Sequence, residues 1–143
     1  MTDPLTCLVA AIFFEARDQP IDGQVTVGQV VMNRKAHEDF PNTICSVVYE
    51  DRAFSFTHDG QSDDPADYTT HFDVEAHRRA TEVALAVLEG GTTGQATNGP
   101  DYWVTSTHYH AYYVKPYWSD IFTLDGRVGD HVFFTCSRDE RNC

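Results

Sequence analysis

Leu5, Leu8, Val9, Ile12 and Phe13 recur at the spacing of one helical face, and every residue from Leu8 to Phe14 is apolar. A helix this apolar must be covered, because apolar surface left in water costs about 25 cal/mol per Å². The spacing predicts a helix that starts near Asp3 or Thr6 and ends near Arg17. Its cover has to come from a short chain. At 143 residues there is enough sequence for one compact domain with a core and too little for two. Residues 1–143 therefore read as a single domain. With 41% hydrophobic and 13% aromatic residues, the chain is not a disordered one. The apolar run is too short to span a bilayer, and Glu15 and Arg17 follow it at once. It has no basic residue before it and no small-residue cleavage site, so it is not a secretory signal. Stable membrane insertion is not expected.

The remaining elements follow the same logic. Ile21, Val25, Val31 and Met32 predict a second helix with Pro20 at its start, and Pro41 closes the segment. Gly23 and Gly28 weaken that helix unless they permit close packing. Residues Thr57 to Thr70 are polar and rich in Asp and Gly, which reads as a long surface loop. Ala76, Ala80, Val83, Ala84, Val87 and Leu88 form the clearest helical stripe, ended by Gly90-Gly91. Tyr102 to Val114 and Ile121 to Phe134 are rich in aromatic and β-branched residues. The expected class is α+β: a helical lobe first, then a small antiparallel β-sheet toward the C-terminus.

Charge narrows the partners. The chain carries 10 basic and 22 acidic residues, a net charge of −12. Such a surface repels nucleic acid and anionic lipid at long range, so a nucleic-acid partner is excluded. Four cysteines, Cys7, Cys45, Cys136 and Cys143, contain no CxxC pair. They allow three pairings; Cys136 and Cys143 bracket a polar tail that a bridge could staple, and free thiols are the alternative.

Three segments carry chemistry. Glu15 ends the first apolar helix beside Phe14 and near Ile12. A carboxyl in apolar surroundings loses solvation of its charged form, so its pKa rises and it can donate a proton near neutrality. The plain reading is a solvated helix-end glutamate paired with Arg17 or Arg34. The second segment, Phe40-Pro41-Asn42-Thr43-Ile44-Cys45 through Phe54-Ser55-Phe56-Thr57-His58-Asp59-Gly60, reads as a loop that sets aromatics beside small polar groups, as a sugar site requires. Equally, Phe54 and Phe56 read as core and Asp59-Gly60 as a turn. The third, Thr107-His108-Tyr109-His110, precedes Trp118 and Gly129-Asp130-His131. On a strand His108 and His110 share a face, and with His131 they could bind zinc. The alternative is a histidine pair lining a cleft.

In order and wording these segments resemble the cell-wall hydrolase family of the spore cortex-lytic enzymes, which includes phage and proteobacterial lysins. The likeness rests on Phe14-Glu15-Ala16-Arg17, Gly23-Gln24-Val25 through Val31-Met32-Asn33-Arg34, Phe40-Pro41-Asn42-Thr43-Ile44-Cys45 and Phe54-Ser55-Phe56. It continues through Thr107-His108-Tyr109-His110, Trp118 and Gly129-Asp130-His131-Val132-Phe133. Asp18-Gln19 replaces the family's usual Gly-Glu, His58 stands where the family often has a cysteine partner for Cys45, and Asn98 to Trp103 is an extra stretch. The resemblance implies a lysozyme-like domain that cuts the β-1,4 bond between N-acetylmuramic acid and N-acetylglucosamine in peptidoglycan. Glu15 is then the catalytic acid. Asn33, Phe54, Ser55, Phe56, Asp59, His108, Tyr109, His110, Trp118 and His131 are expected to line the substrate groove, with no metal and no cofactor. One acid suits a lytic transglycosylase, and a hydrolytic muramidase is the alternative. Most hydrolytic glycosidases use a second carboxylate, for which Asp59 is the candidate, with Glu50 and Asp51 as outside ones. A zinc-dependent wall amidase is the remaining alternative. The expected form is a monomer acting on the wall, reaching it without a signal peptide through a phage holin or a virion.

Overall fold

The computed structural model describes residues 3–51, 53–90, 105–136 and 143. Helix α1 spans Pro4–Ala16, capped by Asp3, whose side chain accepts from the Leu5 N–H at 2.8 Å. Every residue from Cys7 to Phe13 is at most 6% exposed. The sequence predicts one buried face; the structure buries the helix on all sides, because three further helices surround it. These are α2 (Ile21–Ala36), the short α3 (Ile44–Val48) and α4 (His71–Leu88).

Gly28 makes this enclosure possible. A Cβ there would lie 3.2 Å from both Ile12 Cδ1 of α1 and Val87 Cγ2 of α4, so the three helices meet where α2 has no side chain. A disulfide joins Cys7 of α1 to Cys45 of α3, and a second joins Cys136 to Cys143. Cys45 thus finds its partner on α1. The polar segment 57–70 holds two 3-10 turns, Ser55–His58 at its start and Pro65–Asp67 within it. Tyr68 leaves it to pack 5.8 Å from Phe13 and 5.3 Å from Phe14.

The C-terminal part forms a three-stranded antiparallel sheet, β1 (His108–Ala111), β2 (Thr123–Val128) and β3 (His131–Thr135), in the order β1-β3-β2. The stretch expected from Ile121 to Phe134 is therefore two strands, which Gly129 joins at φ +58°. The start of the other expected stretch, Tyr102 to Val104, lies outside the described residues, as does the extra stretch Asn98 to Trp103. The turn is docked on the α1–α2 junction. Gln19 Oε1 accepts from the Asp130 N–H at 2.8 Å, and Gln19 Nε2 donates to Asp130 Oδ2 at 3.1 Å. A Cβ at Gly129 would come within 2.9 Å of Pro20 Cδ.

Strand alternation divides the sheet into two faces. Tyr109 and Phe133 are paired across β1 and β3, and pack with Ala16, Val27 and Val30 of the helical lobe. The opposite face carries His108, His110 and Phe134. Trp118, from a 3-10 turn at Tyr117–Asp120, lies over it at 5.2, 5.6 and 5.2 Å from those three rings, and 5.6 Å from Phe122. Trp118 is the centre of this small cluster. Trp118→Ala should therefore cost about 3 kcal/mol of stability, read from denaturant unfolding. Unchanged stability with weaker substrate binding would return Trp118 to the groove.

Candidate active site

The last turn of α1 brings Glu15 to the seam between the helical lobe and the sheet. Its carboxylate accepts a hydrogen bond from the Tyr109 hydroxyl of β1. Burial raises the Glu15 pKa above the usual carboxylate value, while the Tyr109 hydrogen bond and the nearby Arg34 charge pull the other way. Desolvation is the largest of the three. The described ion pairs include none between Glu15 and Arg17 or Arg34. Arg17 turns instead to α4, 3.5 Å from Asp73, with its guanidinium 4.6 Å over the Phe13 ring.

Two residues in the last turns of α2 hold β1 in place. Asn33 Nδ2 donates to the Ser106 carbonyl at 2.8 Å, and Arg34 Nε donates to the Thr107 carbonyl at 2.7 Å. These successive carbonyls lead directly into His108 and Tyr109. Asn33 is thus a brace for the strand that holds Glu15. Arg34 is 8% exposed and lies 5.2 Å over Phe40 and 5.5 Å over Phe54. Burial lowers its pKa, opposed by Tyr109, Glu50 and Glu15.

A cleft of about 330 Å³ opens beside Arg34, lined also by Phe40, Glu50, Asp51, Ala53 and His108. Burial, with the Arg34 charge adding to it, lowers the His108 pKa to about 4, so its ring is neutral at pH 7. Glu50 and Asp51, the outlying candidates for a second carboxylate, are on this wall. Asp59 is exposed, and its Oδ1 accepts from the Gln61 N–H at 2.9 Å. Ser55 is exposed as well.

The aromatics of the second segment are core. Phe54 is 3% and Phe56 5% exposed, and Phe56 stacks 4.8 Å from Phe14, next to Glu15. The three histidines do not converge. His108 and His110 face Trp118, whereas His131 lies 4.9 Å from the Tyr109 ring on the other face. A zinc site built from them is contradicted by strand parity. Burial lowers the His131 pKa, and its Nδ1 is buried without a hydrogen-bond partner among the described residues. Sequence reasoning cast Tyr109 as a sugar contact and missed it as the Glu15 donor. Its position between His108 and His110 was the available signal, since it must face away from them. The Gln19 clamp and the Arg34 brace left no local signal, because their partners lie over 70 residues away.

A profile of the Cell Wall Hydrolase family matches residues 18–134. The chain belongs to the cell wall hydrolase family. The chain is 45% identical over 51 residues to the spore cortex-lytic enzyme of Bacillus cereus, covering 36% of this chain and 20% of that protein. It is 41% identical over 54 residues to that of Bacillus subtilis, covering 38% and 18%. The aligned stretch therefore spans about a fifth of these relatives. The solved catalytic domain of the Bacillus cereus SleB protein superposes with a TM-score of 0.68 at 24% identity, covering 92% of this chain and 89% of that one. The catalytic domain of the germination-specific lytic transglycosylase SleB from Bacillus anthracis gives 0.69 at 24% identity, covering 94% and 96%. The shared fold is the expected helical lobe with a small C-terminal sheet. Glu15 precedes the span that the family profile matches, so its role has to be argued from its surroundings.

Tyr109→Phe removes the tyrosine hydrogen bond that favours the Glu15 carboxylate and leaves the ring in place. The Glu15 pKa should rise further, measured by carboxyl carbon NMR titration. An unchanged titration would mean that the hydroxyl does not hold Glu15 in solution.

Proposed function

We propose that this cell wall hydrolase cuts the peptidoglycan glycan strand between N-acetylmuramic acid and N-acetylglucosamine as a lytic transglycosylase, with Glu15 as its acid. The observation that carries the reading is a desolvated carboxyl at the end of a buried helix, held by one tyrosine hydroxyl. A raised pKa keeps a proton available for the glycosidic oxygen as the bond to the anomeric carbon breaks. The substrate's own N-acetyl group stabilises that carbon. The Glu15 carboxylate then takes the proton of the muramic 6-hydroxyl while its oxygen bonds to the anomeric carbon. The product is a 1,6-anhydro sugar, Glu15 is protonated again, and no water is consumed.

Two features favour this route over hydrolysis. Most glycoside hydrolases use a second carboxylate opposite the first. Asp59 is exposed and occupied in its turn, and Glu50 and Asp51 sit on the Arg34 wall. The Bacillus anthracis domain of the same fold is described as a lytic transglycosylase. Residues 1–143 act in this reading as one catalytic unit and as a monomer, since a single copy carries every group named. Action on the wall lies outside the membrane, and no described helix is long and apolar enough to cross one.

Glu15→Gln keeps the shape and removes the titrating proton. Lytic activity should fall roughly a hundred- to ten-thousand-fold. Stability should not fall with it. Because burial raises the folded-state pKa, the stability linked to a neutral Glu15 is present below its unfolded pKa and is lost as pH rises through the folded one. The glutamine variant should thus be at least as stable as wild type at neutral pH. Wild-type activity should decline over the same rise, as the acid deprotonates. Near wild-type lysis by the variant would remove Glu15 as the acid. Mass spectrometry of digested peptidoglycan should show anhydro ends; reducing ends would establish hydrolysis, with Glu50 the next residue to test.

A further inference from the structure

The aromatic residues matched to the family are largely buried, which leaves open what a long glycan would rest on. Among the described residues nine large hydrophobic side chains are exposed, and six of them fall between Tyr112 and Leu124. Tyr112, Tyr113 and Tyr117 are 54%, 75% and 82% exposed. Exposure of this kind, concentrated in one short segment, marks a contact surface.

We infer that Tyr112, Tyr113 and Tyr117, with Arg127, form an aromatic platform that binds the glycan strand beyond the bond being cut. The inference rests on the glycan-cleaving reading above. Three observations select a glycan as the occupant. First, the exposed rings are tyrosines. Each offers an apolar face to the apolar face of a sugar and a hydroxyl to its rim, an amphipathic character an aliphatic protein contact does not need. Tyr112 and Tyr113 stand edge to face at 5.3 Å, so their planes present two orientations.

Second, charge permits it here and opposes it elsewhere. From Tyr112 to Asp130 the chain has two basic residues, Lys115 and Arg127, and three acidic ones, Asp120, Asp125 and Asp130, against −12 for the whole, and Asp130 Oδ2 accepts from Gln19 Nε2 at 3.1 Å. Asp125 is engaged inward by Ser106 at 2.7 Å and Thr135 at 2.6 Å. Lys115 and Asp120 are 3.6 Å apart. That leaves the Arg127 guanidinium, exposed and 4.4 Å over the Tyr112 ring, as the cation facing a polymer that carries muramic and peptide carboxylates. Third, the platform is tied to an element that borders the helical lobe. Tyr112 lies in the turn just past β1, and its N–H donates to the Asp130 carbonyl at 2.8 Å. Tyr112 is thereby fixed to the same turn before β3 that Gln19 clamps to the α1–α2 junction.

The test uses the full chain with Glu15→Gln, so that binding is read without cleavage. Its affinity for purified peptidoglycan sacculi is compared with that of the same protein carrying Tyr112→Ser, Tyr113→Ser and Tyr117→Ser. Affinity should fall about tenfold or more, while Phe72→Ser, an equally exposed aromatic on α4, leaves it unchanged. With Glu15 intact, the three changes should raise the KM for sacculi and leave kcat near wild type, as lost ground-state contacts do. Should the triple variant unfold, Tyr113→Ser and Tyr117→Ser singly, the most exposed positions, carry the same expectation. Unchanged affinity with lysis intact overturns the platform alone. A dimer in sedimentation that the serines dissociate, with sacculus binding unchanged, also overturns it and makes the surface a contact between copies. If the Glu15→Gln protein does not bind sacculi at all, the platform and the glycan-cleaving reading fall together.

Discussion

Seven consecutive residues of α1, Cys7 to Phe13, lie out of water, and a helix enclosed that far can present chemistry only at its ends. Much of the molecule follows from that enclosure. Three helices are needed to surround α1, and Gly28 lets α2 and α4 close over Ile12. Cys7 is tied to Cys45, which fixes the short α3 against the helix it covers. Arg17, just past the end of α1, leans on Phe13 and reaches α4. Glu15 is then the acidic group that α1 delivers to the seam with the sheet.

The same packing that stabilises α1 perturbs this carboxyl. Burial disfavours its charged form, and the opposing groups are few: one hydroxyl from Tyr109 and the charge of Arg34. Neither is close by accident. Arg34 donates to the carbonyl of Thr107, two residues before Tyr109, so one side chain both holds β1 and sets the field felt by Glu15. Arg34 is itself buried and its cation is opposed by the same desolvation, with Glu15 and Glu50 offsetting it. A buried arginine and a buried glutamate with no ion pair between them among the described residues are each held by burial toward their neutral forms.

The sheet adds its own division of labour. Its inner face gives Tyr109 and His131 to the seam, and its outer face stores aromatic bulk under Trp118. Parity along β1 makes that division absolute: a residue that reaches Glu15 cannot also reach Trp118. The docked Gly129 turn, held by Gln19 and Asp130, keeps the inner face against the helical lobe.

The sequence by itself determined the three long helices (though not the short α3), the position of Glu15 at the end of the first, and the change to strands in the last third. These are local properties: burial leaves a 3.6- or two-residue period, and a glutamate that ends an apolar run is visible as such. Tertiary structure decided what lies across the fold. Whether α1 was covered on one side or all sides depended on how many helices found it. The partner of Cys45, the brace from Arg34 and the clamp from Gln19 depend on contacts between segments distant in the chain. Phe54 and Phe56, which read equally as groove or core, went inside, and Tyr112, Tyr113 and Tyr117 stayed out. Composition alone cannot sort such rings, because an aromatic side chain gains as much from a core as from a ligand, and only the packed neighbours settle which one it meets.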